Sequence, residues 1–296
     1  MKVDFNNDFR LFVISFLQDE GCMVDIDSDL RKLAYQLCTY LEHKIRPTPR
    51  SIFVSNVFNP PSETEHLQGL KNLETDLGMG NDVTKYLHKP LLKTNEKDGL
   101  LNHWGIHHFH LGHCPDEKDP RFVKRTGPLL LARVTEDSAY FIGVYSHNEL
   151  SERCWAISEL IEILHRNWPE SISNYKMKGN VSGDRLPDDK LAAIWKNRGN
   201  VIWKTEDGTA YGMLGGGVNC AGGSKKALRN ADGMIEKIFA MERHIISKEN
   251  DILAQIGNLN RRSSDTEISI NLHFEEGTIF ALERTTGWRW ELGRFC

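Results

Sequence analysis

The densest chemistry in this chain lies in Trp104-Gly105-Ile106-His107-His108-Phe109-His110-Leu111-Gly112-His113-Cys114. Five of the chain's 12 histidines, the first being His103 and the last His113, fall in or just before this stretch. The apolar residues between them read as a β-strand, in which successive side chains point to opposite faces. Ile106, His108 and His110 then share one face, and His107, Phe109 and Leu111 the other. With Phe109 and Leu111 turned towards a core, His108 and His110 project together as a paired imidazole display. On this pattern His107 packs beside Phe109, and His103 is exposed.

Two imidazoles on one face suit two kinds of chemistry. The first is metal-free proton transfer, since imidazole titrates near neutrality and a pair can take and give a proton in one cycle. Cleavage of RNA by its own 2′-hydroxyl needs such a pair and a cation for the charge that grows on phosphate. Arg133, on the strand expected next, supplies that cation, with Lys124 or Arg125 in the loop before it; Tyr140 and His147 assist from a third strand. The second chemistry is metal binding. The H-x-H spacing presents His108 and His110 to one zinc, iron or manganese ion, with a third ligand from His113, Cys114, Asp116 or His147. Cupin-like proteins, which also use H-x-H on a strand, place a glutamate about four residues later, and Cys114 and Pro115 stand there instead. A third reading is a non-enzymatic interface of histidines and tryptophans.

The elements that must position these residues follow from hydrophobic period. Phe9, Phe12, Val13, Phe16 and Leu17 recur at helical spacing, as do Leu30, Leu33, Leu37, Tyr40 and Leu41. Leu67, Leu70 and Leu73 mark a third helix, with Ser62 and Glu65 at capping-box spacing, and a short one is expected over residues 82–92. Asp25-Ile26-Asp27-Ser28-Asp29 has a calcium-loop rhythm but lacks the glycine and glutamate such a loop needs, and reads as a helix start. Beyond the histidine strand, Pro128–Val134 and Ala139–Tyr145 form a hairpin turning at Glu136-Asp137, with Arg133 opposite Tyr140. Helices are expected over Ser151–Trp168 and Asp188–Trp195. A hairpin turning at Asp207-Gly208, a long helix after Ser224 and three alternating strands from Ile268 to Leu292 complete the chain.

The fold class read from this pattern is α+β. A helical N-terminal module (1–100) precedes a histidine-bearing antiparallel sheet with its helix (101–170). The remainder (171–296) carries the Gly-rich loop, the long helix and the strand meander. Helices leading to a curved antiparallel sheet with His, Arg and Tyr on its face resemble the plan of small metal-independent endoribonucleases of the barnase and RelE-toxin kind. The resemblance covers residues 100–170 and is one of arrangement, so no family residues are carried over. It implies an endoribonuclease of bacterial toxin or phage-defence type, RNA as partner, an inhibitor protein as a second partner, and no cofactor.

Gly215-Gly216-Gly217 and Gly222-Gly223-Ser224-Lys225-Lys226 form a second candidate. Backbone amides at a helix start, with Ser224, Lys225 and Lys226, suit a phosphate. The order is not that of a Walker loop, however, because Ser224 precedes the lysines. Glycines that let chain segments pass closely are the plainer reading.

Composition limits the rest. A net charge of −4 and a pI near 6.3 give no global nucleic-acid signature, so a polyanion would need a local basic patch. No run approaches the roughly 20 apolar residues of a membrane helix, and the N-terminus lacks the apolar core of a signal peptide. Six scattered cysteines without a CxxC pair fit reduced thiols. These features predict a soluble, cytoplasmic protein.

Overall fold

The computed structural model describes residues 1–94, 97–152, 155–179, 181–259 and 267–295. In chain order the elements are β1 (Lys2–Val3), α1 (Phe5–Asp19), α2 (Leu30–His43), β2 (Ser51–Val54), α3 (Thr64–Met79), β3 (His107–His110), β4 (Pro128–Val134) and β5 (Ser138–Ser146). There follow α4 (His147–Glu152), α5 (Glu159–Asn167), α6 (Asp188–Lys196), β6 (Trp203–Lys204), β7 (Ala210–Tyr211), α7 (Lys225–Ser247), α8 (Glu249–Gly257), β8 (Ser269–Glu275), β9 (Thr278–Glu283) and β10 (Trp288–Arg294). The class is α+β, with a long helix followed by antiparallel strands at the C-terminal end, as the period of the sequence predicts. Among the described residues no helix is long and apolar enough to cross a membrane.

The chain divides into two compact units: residues 1–38 with 228–296, and residues 39–227. They cut across the three segments read from the sequence. In the first unit a sheet runs in the order β1-β8-β9-β10, and β1 joins β8 in parallel. Asp4 caps α1 by accepting the Asn7 N–H at 3.0 Å. The helix buries Phe5, Phe9, Val13 and Leu17, and Phe12 stacks on Phe274 at 3.9 Å.

The second unit holds the histidine strand. Its sheet runs β2-β5-β4-β3, antiparallel except where β2 pairs in parallel with β5. This sheet and that of the first unit are separate. The hairpin turns at Glu136-Asp137, with Arg133 opposite Tyr140 and a bulge between Leu131 and Ala132. His108 lies opposite Leu131 and His110 opposite Leu129, while Phe109 meets Leu130 on the other face. Leu129 and Leu131 belong to an apolar cluster with Ile142, Leu160, Ile161 and Leu164. Each such side chain contributes roughly 1.5–3 kcal/mol on burial. His108 and His110 therefore stand on the α5-covered face beside its apolar core, not on a solvent face. The rest of their own face forces them towards burial.

Several local expectations change. Glu63, not Ser62, precedes α3, and no side chain caps it. The helix expected over residues 82–92 is two short 3-10 turns, Thr84–Tyr86 and Lys89–Lys93, because Pro90 and the αL residue Thr94 (φ 53°) bound the second. The helix expected over Ser151–Trp168 is split into α4 and α5; Arg153 and Cys154 lie outside the described residues, as does Cys296. Cys114 and Cys220 are exposed free thiols.

Candidate functional site

The cavity at the histidine strand lies within the second unit. It measures about 270 Å³ and is bounded by His88, Asp98, His108, His110, His147 and Trp155, with Lys97 and Arg125. Each comes from a different local device. His88 precedes the Lys89–Lys93 turn. Asp98 opens a turn in which its carboxylate accepts the Leu101 N–H at 2.9 Å and its carbonyl accepts the Asn102 N–H at 2.8 Å. That turn continues into a single π-type turn, Leu100–Trp104, an uncommon geometry that recurs at functional sites. His147 begins α4 at the end of β5. Trp155 holds φ at +61°, a costly conformation for an aromatic residue, and its ring faces His108 at 5.3 Å and His147 at 5.6 Å.

A donor cluster lies at the cavity. Ligand atoms of His43, His88 and Asp98 all fall within 4.8 Å of one another. His108 Nδ1 is 3.6 Å from Asp98 Oδ2, and His88 Nε2 is 4.0 Å from the same oxygen. Neither separation is a hydrogen bond. The tautomer of His43 is fixed by chemistry: its Nδ1 lies 2.8 Å from the Thr39 carbonyl, an acceptor only, so Nδ1 donates and Nε2 carries the lone pair. His43 Nε2, His88 Nε2 and His108 Nδ1 are all buried, and none has a hydrogen-bond partner among the described residues.

Burial sets the protonation of this group. Loss of water lowers His88 and His110 to about 3 each, and His107 likewise to about 3, with neighbouring cations adding to the effect. Burial also lowers His108, against the opposing pull of Asp98. The Asp98 carboxyl is drawn both ways: burial raises it, the facing imidazoles and the Leu101 N–H lower it, and the balance lies below its ordinary value. The strand histidines are thus neutral imidazoles at pH 7, held in that form because burial disfavours the protonated ring.

The sequence-derived site residues separate in space. His108, His110, His147 and Arg125 meet at the cavity. Arg133 and Tyr140 do not line it. Arg133 is buried, donates to the Ser171 carbonyl at 3.2 Å and lies over the Tyr175 ring at 5.3 Å. Tyr140 is packed between Phe53 and Trp168, at 5.3 and 5.1 Å. Lys124 is exposed and lies outside the lining. His113 is exposed and bounds a different cavity with Cys114, so the His108, His110, His113 ligand set is not assembled. His107 packs beside Phe109 at 6.1 Å, as expected. His103 is buried rather than exposed, stacked on Trp195 at 4.0 Å because the π-type turn carries it inward.

Ser224 has a structural role: it accepts the Ala227 N–H at 3.0 Å and donates to Glu42 at 2.6 Å, while Lys225 and Lys226 are exposed. The glycines do allow close passage. Gly215 donates to the His103 carbonyl at 3.2 Å, and a Cβ there would fall 1.8 Å from the Leu101 oxygen.

His43, His88 and Asp98 escaped the sequence reading. They sit 65, 20 and 10 residues before His108, with no shared spacing; the one local hint was Asp98-Gly99 immediately before the aromatic turn. No protein-family model matches this chain, and comparison with curated proteins and with solved structures likewise returns no match.

Proposed function

We propose that this chain is a hydrolytic enzyme that cleaves a phosphodiester, RNA being the leading substrate, at the cavity bounded by His88, His108, His110, His147 and Arg125. The observation that carries this reading is the meeting of Arg125 and Lys97 with neutral imidazoles around one opening. The cations suit a phosphate and the imidazoles suit proton transfer.

The roles differ from those expected of the strand alone. His110 lines the cavity with an unpartnered Nδ1 and takes the base role, although the burial that keeps it neutral also weakens it as a base. His147 is exposed at the rim and suits an acid. In this scheme the 2′-hydroxyl proton passes to His110, the 2′-oxygen bonds to phosphorus, and the bond to the 5′-oxygen breaks as His147 protonates that oxygen. Arg125, in place of Arg133, holds the phosphate oxygens.

Incubation of the purified chain with total RNA and with single-stranded DNA, with and without EDTA, tests the proposal. RNA cleavage that is lost in His110→Ala and Arg125→Ala supports it. Intact substrates under both conditions, with a folded protein, would favour a non-enzymatic binding module. A toxin role adds that production of the intact chain arrests bacterial growth and that the Arg125→Ala variant does not.

A further inference from the structure

We propose that His43, His88, Asp98 and His108 form a binding site for one divalent ion of the zinc class. Without an ion the arrangement is costly. Three imidazole nitrogens and a carboxylate are buried together, the three nitrogens lacking partners, and each unpaired buried polar atom costs about 1–3 kcal/mol. A fold retains such a group where something else completes it.

Geometry agrees with a shared ion. Ligand atoms about 2.1 Å from a tetrahedral zinc stand roughly 3.4 Å from one another. The 3.6 and 4.0 Å separations of His108 Nδ1 and His88 Nε2 from Asp98 Oδ2 lie just outside that figure, and the His43, His88 and Asp98 atoms stay within 4.8 Å. His108 lies outside that group of three, so its imidazole must move further than the other side chains to complete the shell. Three nitrogens and one oxygen suit zinc, iron, cobalt or manganese and not magnesium or calcium, which take oxygen ligands.

The surroundings are those of a metal site. The Thr39 carbonyl orients His43 through Nδ1, as an outer partner orients a metal-bound imidazole. The Leu101 N–H holds the second Asp98 oxygen. His88, Asp98 and His108 also line the cavity, so the ion would be reachable from the substrate side. An ion there polarises a phosphoryl oxygen or lowers the pKa of bound water.

This inference deepens the hydrolase reading of the same cavity, but ion binding is its readout. A chain that binds zinc and leaves every phosphodiester intact would sink the hydrolase reading alone. The experiment is elemental analysis of the intact chain, then titration of chelator-stripped protein with zinc and with cobalt(II). About one ion per chain is expected, with a tetrahedral cobalt spectrum and a higher melting temperature. His43→Gln and His108→Gln each weaken binding at least roughly tenfold, while His113→Gln leaves it unchanged. Wild-type protein that stays folded, shows no bound metal as purified and takes up neither ion would overturn the proposal. So would undiminished binding in both variants. The wild-type measurement decides the matter even where a variant fails to fold.

Discussion

The Nδ1 of His108 stands 3.6 Å from Oδ2 of Asp98, close enough for strong electrostatic influence and too far for a hydrogen bond. The gap is unusual because both groups are buried, and a buried carboxylate with a neighbouring imidazole normally closes to bonding distance. Two further imidazoles surround the same carboxylate without reaching it. The distance is that of two ligands facing a common third party.

Asp98→Asn separates the ion-free cost of this carboxylate from its use. The amide oxygen of the replacement can still accept the Leu101 N–H, so the turn is kept. In chelator the variant is expected to match or exceed the wild type in urea stability, because a buried charge has been removed. With zinc at about 100 times its dissociation constant the wild type gains about 2.7 kcal/mol, and the variant gains much less. Stability that falls equally with and without zinc would make Asp98 a structural residue only.

Arg125 is expected to govern substrate affinity. Replacing it by alanine should raise KM for RNA and lower the slope of log affinity against log salt by about one, the signature of one lost phosphate contact. Lys124→Ala, which removes an exposed neighbouring cation outside the cavity lining, should do neither. Equal effects of the two variants would assign the binding to diffuse charge rather than to the cavity.

Arg133 makes the opposite case. Its guanidinium is engaged by the Ser171 carbonyl and the Tyr175 ring, so Arg133→Ala should cost about 1–3 kcal/mol of stability, measured by denaturant melting. The turnover of the protein that remains folded should be unchanged. A fall in kcat with intact stability would return Arg133 to the catalytic group.

The contrast between these two arginines shows where the sequence was readable. Period-two alternation fixed the strand, its neighbours and the face shared by His108 and His110, because a one-residue slip would expose the whole apolar set. The hairpin placed Arg133 opposite Tyr140 correctly. What spacing cannot say is which way a long side chain turns from that face, and Arg133 turns towards the Pro169–Tyr175 segment. His43 and His88 were illegible for another reason. One ends a helix and the other precedes a turn, each in surroundings where a histidine is commonplace, and only tertiary packing joins them to Asp98.

His103 offers a pH test away from the donor cluster. Burial lowers it from 6.5 to about 4. The unfolded chain therefore binds a proton below pH 6.5 that the folded chain refuses until about pH 4. Its contribution is fully present above pH 6.5, shrinks as pH falls through that window and is exhausted near pH 4, a swing of about 3 kcal/mol. The difference in unfolding free energy between wild type and His103→Phe, followed from pH 7.5 to 4.5, should change by up to that amount. A pH-independent difference would mean that His103 titrates normally.

Gly215 tests whether the glycine loop holds the Asp98 turn in place. A methyl group there would meet the Leu101 oxygen at 1.8 Å and the Asn102 oxygen at 2.5 Å, so the backbone that follows Asp98 must move. Gly215→Ala is expected to cost about 1–3 kcal/mol through this overpacking. Because Asp98 anchors that turn through the Leu101 and Asn102 N–H groups, zinc affinity should fall with it. Gly78, in α3 with open space around it, is the matched control: Gly78→Ala should stabilise by up to about 1 kcal/mol and leave ion binding alone. A Gly215→Ala variant that is destabilised yet binds zinc as tightly as the wild type would uncouple the loop from the site. Loss of zinc at unchanged stability would place the loop's influence directly on the ligands.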